Sequence, residues 1–163
     1  MKDPVVTDEV RQKKLGMNLG TVVEEVEKGW IRRFCQALGD ANPIYTNESY
    51  AKETVHGGII APPTFFFAFE PTQRDGISNI FDEPITSGAH VEDEWEFFQH
   101  IRPGDVITAE CRLVNLVEKE GKTGRLVFVM AETIFTNQRD EVVVKARITT
   151  VIYPEGRKDA SGK

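Results

Sequence analysis

Apolar residues recur at helical spacing in one stretch of this chain and at alternate positions in several longer ones. From Lys28 to Leu38, the positions Ile31, Cys35 and Leu38 fall on one face, with Phe34 beside them and Arg32, Arg33 and Gln36 elsewhere. That spacing predicts an amphipathic helix. Gly39 is placed to cap its C-terminus. Pro43 stops the helix and biases Asn42 toward an extended backbone. Thr21 to Glu27 reads as a first strand with Val22, Val23 and Val26 as its apolar positions, and Asn47 to Lys52 reads as a short helix.

The run Pro62-Pro63-Thr64-Phe65-Phe66-Phe67-Ala68-Phe69 is different in kind. Proline suits the first turn of a helix, because the amides there have no intrahelical partner. The rest is apolar on every side, so a helix here is expected to be buried all round. A strand is the alternative, since aromatic residues favour sheets. The polar stretch from Thr72 to Ser87 reads as a loop. Glu94-Trp95-Glu96-Phe97 alternates polar and apolar, and Arg102-Pro103-Gly104-Asp105 is a turn. Three long strand candidates follow, Val106 to Val117, Gly124 to Thr136 and Glu141 to Tyr153. Glu120 to Gly124 and Asn137 to Asp140 are the hairpin loops between them.

This order predicts an α+β fold, a curved antiparallel sheet wrapped around a central buried helix whose core is Phe65 to Phe69. Such a sheet leaves edges, and pairing subunits edge to edge would cover them, so a dimer is expected. Residues 1–20 form a polar lead-in, 21–153 one domain, and 154–163 a disordered tail.

Composition narrows the function classes. The 163 residues carry a formal net charge of −6, which argues against nucleic acid as a partner. No apolar run approaches the roughly 20 residues that span a bilayer, so no membrane association is expected. Met1 to Gly16 has no apolar core of the kind a signal peptide needs, and a cytoplasmic location is the expectation. Cys35 and Cys111 lie in apolar-periodic segments and read as core residues. His56, His90 and His100 have none of the usual metal spacings, and no metal is expected.

The candidate chemistry lies in Gly39-Asp40-Ala41-Asn42-Pro43-Ile44-Tyr45, in Gly57-Gly58-Ile59-Ile60-Ala61-Pro62-Pro63-Thr64-Phe65, and in Glu94-Trp95-Glu96-Phe97-Phe98 with Arg102-Pro103-Gly104-Asp105. Each has a bland reading: Asp40 and Asn42 organise a turn, Tyr45 is a packed aromatic with a bonded hydroxyl, and the phenylalanines are core. Over about Thr21 to Tyr153, these three motifs in this order resemble the MaoC-like dehydratases, the family of the (R)-specific enoyl-CoA hydratases, and in particular its N-terminal-type domains. The hydratase signature runs Gly-Asp-x-Asn-Pro-aliphatic-His.

The resemblance implies a hotdog fold and an acyl thioester carried by coenzyme A or an acyl carrier protein, with no further cofactor. It implies water addition to a trans-2-enoyl thioester giving the (3R)-hydroxyacyl thioester, or the reverse. Asp40 matches the family carboxylate, and Tyr45 stands where the family has histidine. Asn42, Gly58, Ala61, Thr64 and Phe65 are the candidate substrate-binding positions. Hydration needs a base for the water and an acid for the α-carbon, and donors for the charge growing on the thioester oxygen. A phenol with a pKa of about 10 is a poor base at neutral pH. Proline at 62 and 63 also removes an amide where the hydratases have glycine, leaving those of Thr64 and Phe65.

Three functions stay open: an independent hydro-lyase, the pocket-shaping chain of a heteromeric dehydratase paired with a second hotdog chain, and a non-catalytic thioester-binding or regulatory module. The expected assembly is a homodimer or such a heteromer.

Overall fold

In a computed structural model that describes residues 4–69, 80–81, 87–121 and 124–154, five antiparallel strands form one sheet. The strands are β1 (Asn18–Glu25), β2 (Gly88–Phe97), β3 (Val106–Gly121), β4 (Gly124–Thr136) and β5 (Val142–Ile152). Their order across the sheet is β1-β3-β4-β5-β2. The expected meander β3-β4-β5 is present, with each strand hydrogen-bonded to the next. β1 and β2 add to its two sides, placing the β2 edge beside β5. This is the expected curved sheet of a hotdog fold, with register shifts in β3 between Leu113 and Asn115 and in β2 between His90 and Glu92. Bulges of this kind bend a strand and raise its twist.

Three α-helices lie among the described residues, α1 (Asp8–Lys14), α2 (Lys28–Leu38) and α3 (Glu48–Glu53). α1 falls in the stretch read as a polar lead-in. Thr7 caps it, and the backbone N–H of Val6 just before it donates to Glu118 Oε2 of β3 at 2.7 Å. Glu118 also meets Arg125 Nε of β4 at 3.0 Å, so the segment is anchored on a largely buried ion pair. α2 matches its expected span, and Gly39 caps it in the left-handed conformation at φ 70°. Ile31 and Cys35 are buried as expected, but Leu38 is 58% exposed. The helix leaves the core in its last turn, while Trp30 and Phe34 from its earlier turns pack against that core.

The apolar run is a correction of degree. Pro63–Phe69 is a 3₁₀ helix, not an α-helix, and it is not buried all round. Three residues per turn align Phe66 with Phe69 and Thr64 with Phe67. Phe65, Phe66 and Phe69 are buried, while Phe67 is 43% exposed. Phe65 meets Trp30 at 5.0 Å and Phe34 at 5.2 Å between ring centroids, and Phe66 and Phe69 reach Phe135 of β4. This aromatic cluster, with Ile31, Cys35, Ala51, Ala61, Ile101 and Val144, is one of two apolar cores on the sheet. The other gathers Val6, Leu19, Ile80, Cys111, Leu113 and Val127.

β1 begins at Asn18 rather than Thr21, and β2 extends well before the alternation at Glu94–Phe97. Most of the stretch expected as a loop, Thr72 to Ser87, and the expected tail from Glu155 lie outside the described residues. No helix among the described residues is long and apolar enough to cross a membrane.

Candidate functional site

The elbow after α2 is built by side chains that bond their own backbone. The N–H of Asp40 donates to Cys35 O at 2.9 Å, closing the helix. Asp40 Oδ1 accepts the Asn42 N–H at 3.0 Å, and Asn42 Oδ1 accepts the Ile44 N–H at 3.2 Å. Asn42 thereby caps a 3₁₀ turn at Pro43–Tyr45, with proline at its first position. Asn47 Oδ1 then accepts the Tyr50 N–H at 3.1 Å and caps α3. Such local bonds are why Asp and Asn favour turns and caps. Asp40 and Asn42 are exposed, and Tyr45 is half-buried against the aromatic core.

Burial pushes the Tyr45 phenol above its ordinary value, and the Asp40 carboxylate adds to the rise. The same two causes, in the same order, raise the Cys35 thiol. Asp40 therefore sits close enough to Tyr45 to disfavour phenolate. Tyr45 is a neutral hydrogen-bonding group at neutral pH, further from a base than an isolated phenol.

The second motif runs against the Arg102-Pro103-Gly104-Asp105 turn. The Ala61 N–H donates to Ile101 O at 2.8 Å, and Arg102 Nη2 donates to His56 O at 2.8 Å. Asp105, buried at the turn, accepts the Arg102 N–H at 2.7 Å and fixes it. A Cβ on Gly58 would lie 3.8 Å from Arg102 Nη1, an ordinary contact, so the backbone there runs beside the guanidinium with room for a side chain. Ala61 and Phe65 are buried in the core that Tyr45 packs against, whereas Thr64 is half-buried. The Phe65 N–H donates to Pro62 O at 2.9 Å, which removes it as a donor for a thioester oxygen. The 3₁₀ helix consumes that amide through its three-residue bond.

One grouping had no signal in residue spacing. His56 and His100 pack edge to face with ring centroids 4.6 Å apart, beside Arg102. Desolvation, then His56, then Arg102 push the His100 pKa below its ordinary value. The two histidines are far apart in sequence and meet only because the glycine loop folds against the turn after β2. His90 lies elsewhere, on β2, 3.0 Å from Asp93.

The sheet order and the aromatic-capped 3₁₀ helix define the hotdog class of proteins. The chain belongs to the FAS1-like dehydratase domain region family, whose model matches residues 13–146, within the MaoC-like hotdog dehydratases. It is 26% identical over 160 residues to a probable enoyl-CoA hydratase alpha subunit of Thermomonospora curvata, covering 83% of this chain but 50% of that protein. It is 38% identical over 130 residues to a UPF0336 protein of Parafrankia sp., covering 78% of this chain and 83% of that one. Among solved structures, the ChsH1-ChsH2 complex of Mycobacterium tuberculosis superimposes with a TM-score of 0.75 at 21% identity, covering 93% and 95% of the two chains. The HadBC (3R-hydroxyacyl-ACP dehydratase) complex from the same organism gives a TM-score of 0.69 at 21% identity, covering 84% and 96%. The chain thus spans half the length of one curated relative and most of another.

Proposed function

We propose that this chain is the pocket-shaping member of a two-chain hydratase or dehydratase acting on acyl thioesters, partnered by a second hotdog chain that carries the base. One observation carries the reading. Tyr45, at the family's histidine position, is a phenol driven upward by burial and by Asp40, so the elbow has a carboxylate and a donor but lacks the imidazole that completes the family's Asp…His pair. The relatives add support, since one is named an alpha subunit and two similar structures are complexes. In this role, Tyr45 and Asp40 shape the wall near the thioester while chemistry is completed across the subunit boundary.

The experiment is an assay of the purified chain with crotonyl-CoA and longer trans-2-enoyl-CoA substrates, alone and mixed with a hotdog chain holding an intact Asp…His pair. Activity only in the mixture is expected. Tyr45→His in the chain alone should raise turnover, because imidazole restores a base worth about 10²–10⁴ in rate. Full turnover by the unmodified chain alone overturns the reading. The bond from Asn42 N–H to Asp40 Oδ1 favours one competing function, a non-catalytic thioester-binding module, because it gives Asp40 a turn-forming role. Thioester binding with no turnover in either arrangement would establish it.

A further inference from the structure

Three side chains able to carry positive charge meet where the loop after α3 lies against the turn after β2. The His56 and His100 rings pack edge to face, with centroids 4.6 Å apart and planes at 77°. Arg102 joins them by donating from Nη2 to His56 O at 2.8 Å, which pins the guanidinium beside the ring pair. Among the described residues, the guanidinium makes that one hydrogen bond and no ion pair. His56 bonds through its backbone, its N–H donating to Thr54 Oγ1 at 3.3 Å, and neither imidazole hydrogen-bonds a described residue through its ring nitrogens. A guanidinium carries several N–H donors and each imidazole at least one. The cluster therefore holds more donors than the chain itself uses.

The surrounding elements bring carboxylates, but these are committed elsewhere. Asp105 accepts the Arg102 backbone N–H on Oδ2 at 2.7 Å, and its Oδ1 lies 3.4 Å from Gln138 Nε2. Glu141 precedes β5, whose Val143 O accepts the Phe98 and Gln99 N–H groups beside His100. It takes Asn137 Nδ2 and Arg139 Nε, each at 2.8 Å. Glu53 at the end of α3 is exposed and forms no ion pair among the described residues. Burial, then His56, then Arg102 hold the His100 pKa below its ordinary value, as like charges do when nothing negative offsets them.

The cluster is open to solutes. His100 is exposed, and His56 and Arg102 are half-buried. Gly57, left-handed at φ 64°, has open space where a Cβ would stand, so no side chain covers the loop there. A phosphate group suits these donors better than a carboxylate. Its tetrahedral oxygens accept from groups converging on several sides, and a guanidinium can grip two of them in parallel.

We propose that His56, His100 and Arg102 form a binding site for a phosphate group, with both imidazoles and the guanidinium donating to its oxygens. None of the three belongs to the Asp40–Tyr45 elbow, so the inference stands or falls apart from the two-chain reading.

The probe is inorganic phosphate, titrated into the full chain at about pH 6.5, where imidazole is half protonated. Chloride at matched ionic strength is the control. The readout is the ring NMR signals of the three histidines. Phosphate should shift His56 and His100 saturably with a Kd below about 10 mM, and leave His90, which lies against Asp93, in place. It should also move the His100 titration to higher pH, because a bound anion favours the charged ring. Arg102→Gln should weaken binding about tenfold or more, the loss expected for a charge-assisted hydrogen bond. Arg102 also braces the loop, so His100→Gln, at an exposed position, is the second variant and should weaken binding at least about threefold. Circular dichroism confirms that each variant is folded. Glycerol 3-phosphate distinguishes the source: an affinity within about tenfold of inorganic phosphate assigns the site to a phosphate borne on a larger molecule, and a weaker one assigns it to free phosphate. Shifts that chloride reproduces, shifts shared equally by His90, no saturation, or binding unchanged in folded His100→Gln overturns the inference.

Discussion

β4 and β2 are written in the same alphabet, apolar residues alternating with polar ones, yet the fold treats them in opposite ways. β4 lies at the middle of the sheet, and its residues alternate between buried and half-buried along its whole length. Its inward side chains, from Val127 to Phe135, join both apolar cores. Its outward Glu132 is matched by Lys145 and Arg147 of β5. β2 has the same alternation at Glu94–Phe97, but its faces are only partly covered: Phe66 and Phe67 pack on Trp95 and Arg147 reaches Glu94, yet all ten residues of the strand stay exposed. The difference teaches that alternation encodes two faces, while the place in the sheet decides whether the chain itself fills them. β4 is finished by its own polypeptide. β2 is left exposed by it.

The sharpest way to break this comparison is to truncate one aromatic on each strand. Phe135→Ala in β4 removes a ring that is 1% exposed and touches Phe66 and Phe69. It should cost about 3–5 kcal/mol in urea unfolding and lower the midpoint accordingly. Phe97→Ala in β2 should cost the isolated chain under about 1 kcal/mol, because half the ring is already in water, and its effect should appear in assembly instead. Equal losses at the two sites would mean that β2 is part of the chain's own core.

A smaller effect concerns the turn that follows β2. His100 has its pKa lowered by burial, by His56 and by Arg102, so the unfolded chain takes up that proton first. Its contribution to stability is complete above the unfolded value of about 6.5 and declines as pH falls through it toward the lower folded value. The unfolding midpoint should therefore drop on acidification through this window, and His100→Gln should flatten that slope. An unchanged slope would show that the two imidazoles and Arg102 do not sense one another.

Much of the architecture was legible because its signals are local. The α2 pattern, the Gly39 cap, the Pro43 stop and the hairpin sequences each act over a few residues, and the structure has them where local chemistry puts them. The elbow was legible as a turn for the same reason, since Asp40 and Asn42 bond amides two residues on. The helix type of Pro63–Phe69 was not, because an all-apolar run has no polar face to set its period. Leu38 misled because periodicity fixes a helical face but not where the core ends. The fate of the Phe65 amide depended on that helix type, so one of the two candidate oxyanion donors was lost only once the turn was seen.

By itself, the sequence determined the class of fold, the order of its elements and the substitution of a phenol for an imidazole at position 45, since these follow from residue identity and short-range pattern. Tertiary structure alone decided which way the Tyr45 pKa moves, that His56 meets His100, and that the aromatic and acidic faces of β2 lie at an open edge. The reason is physical. Burial, through-space charge and strand order arise between residues distant in the chain, and no local spacing carries them.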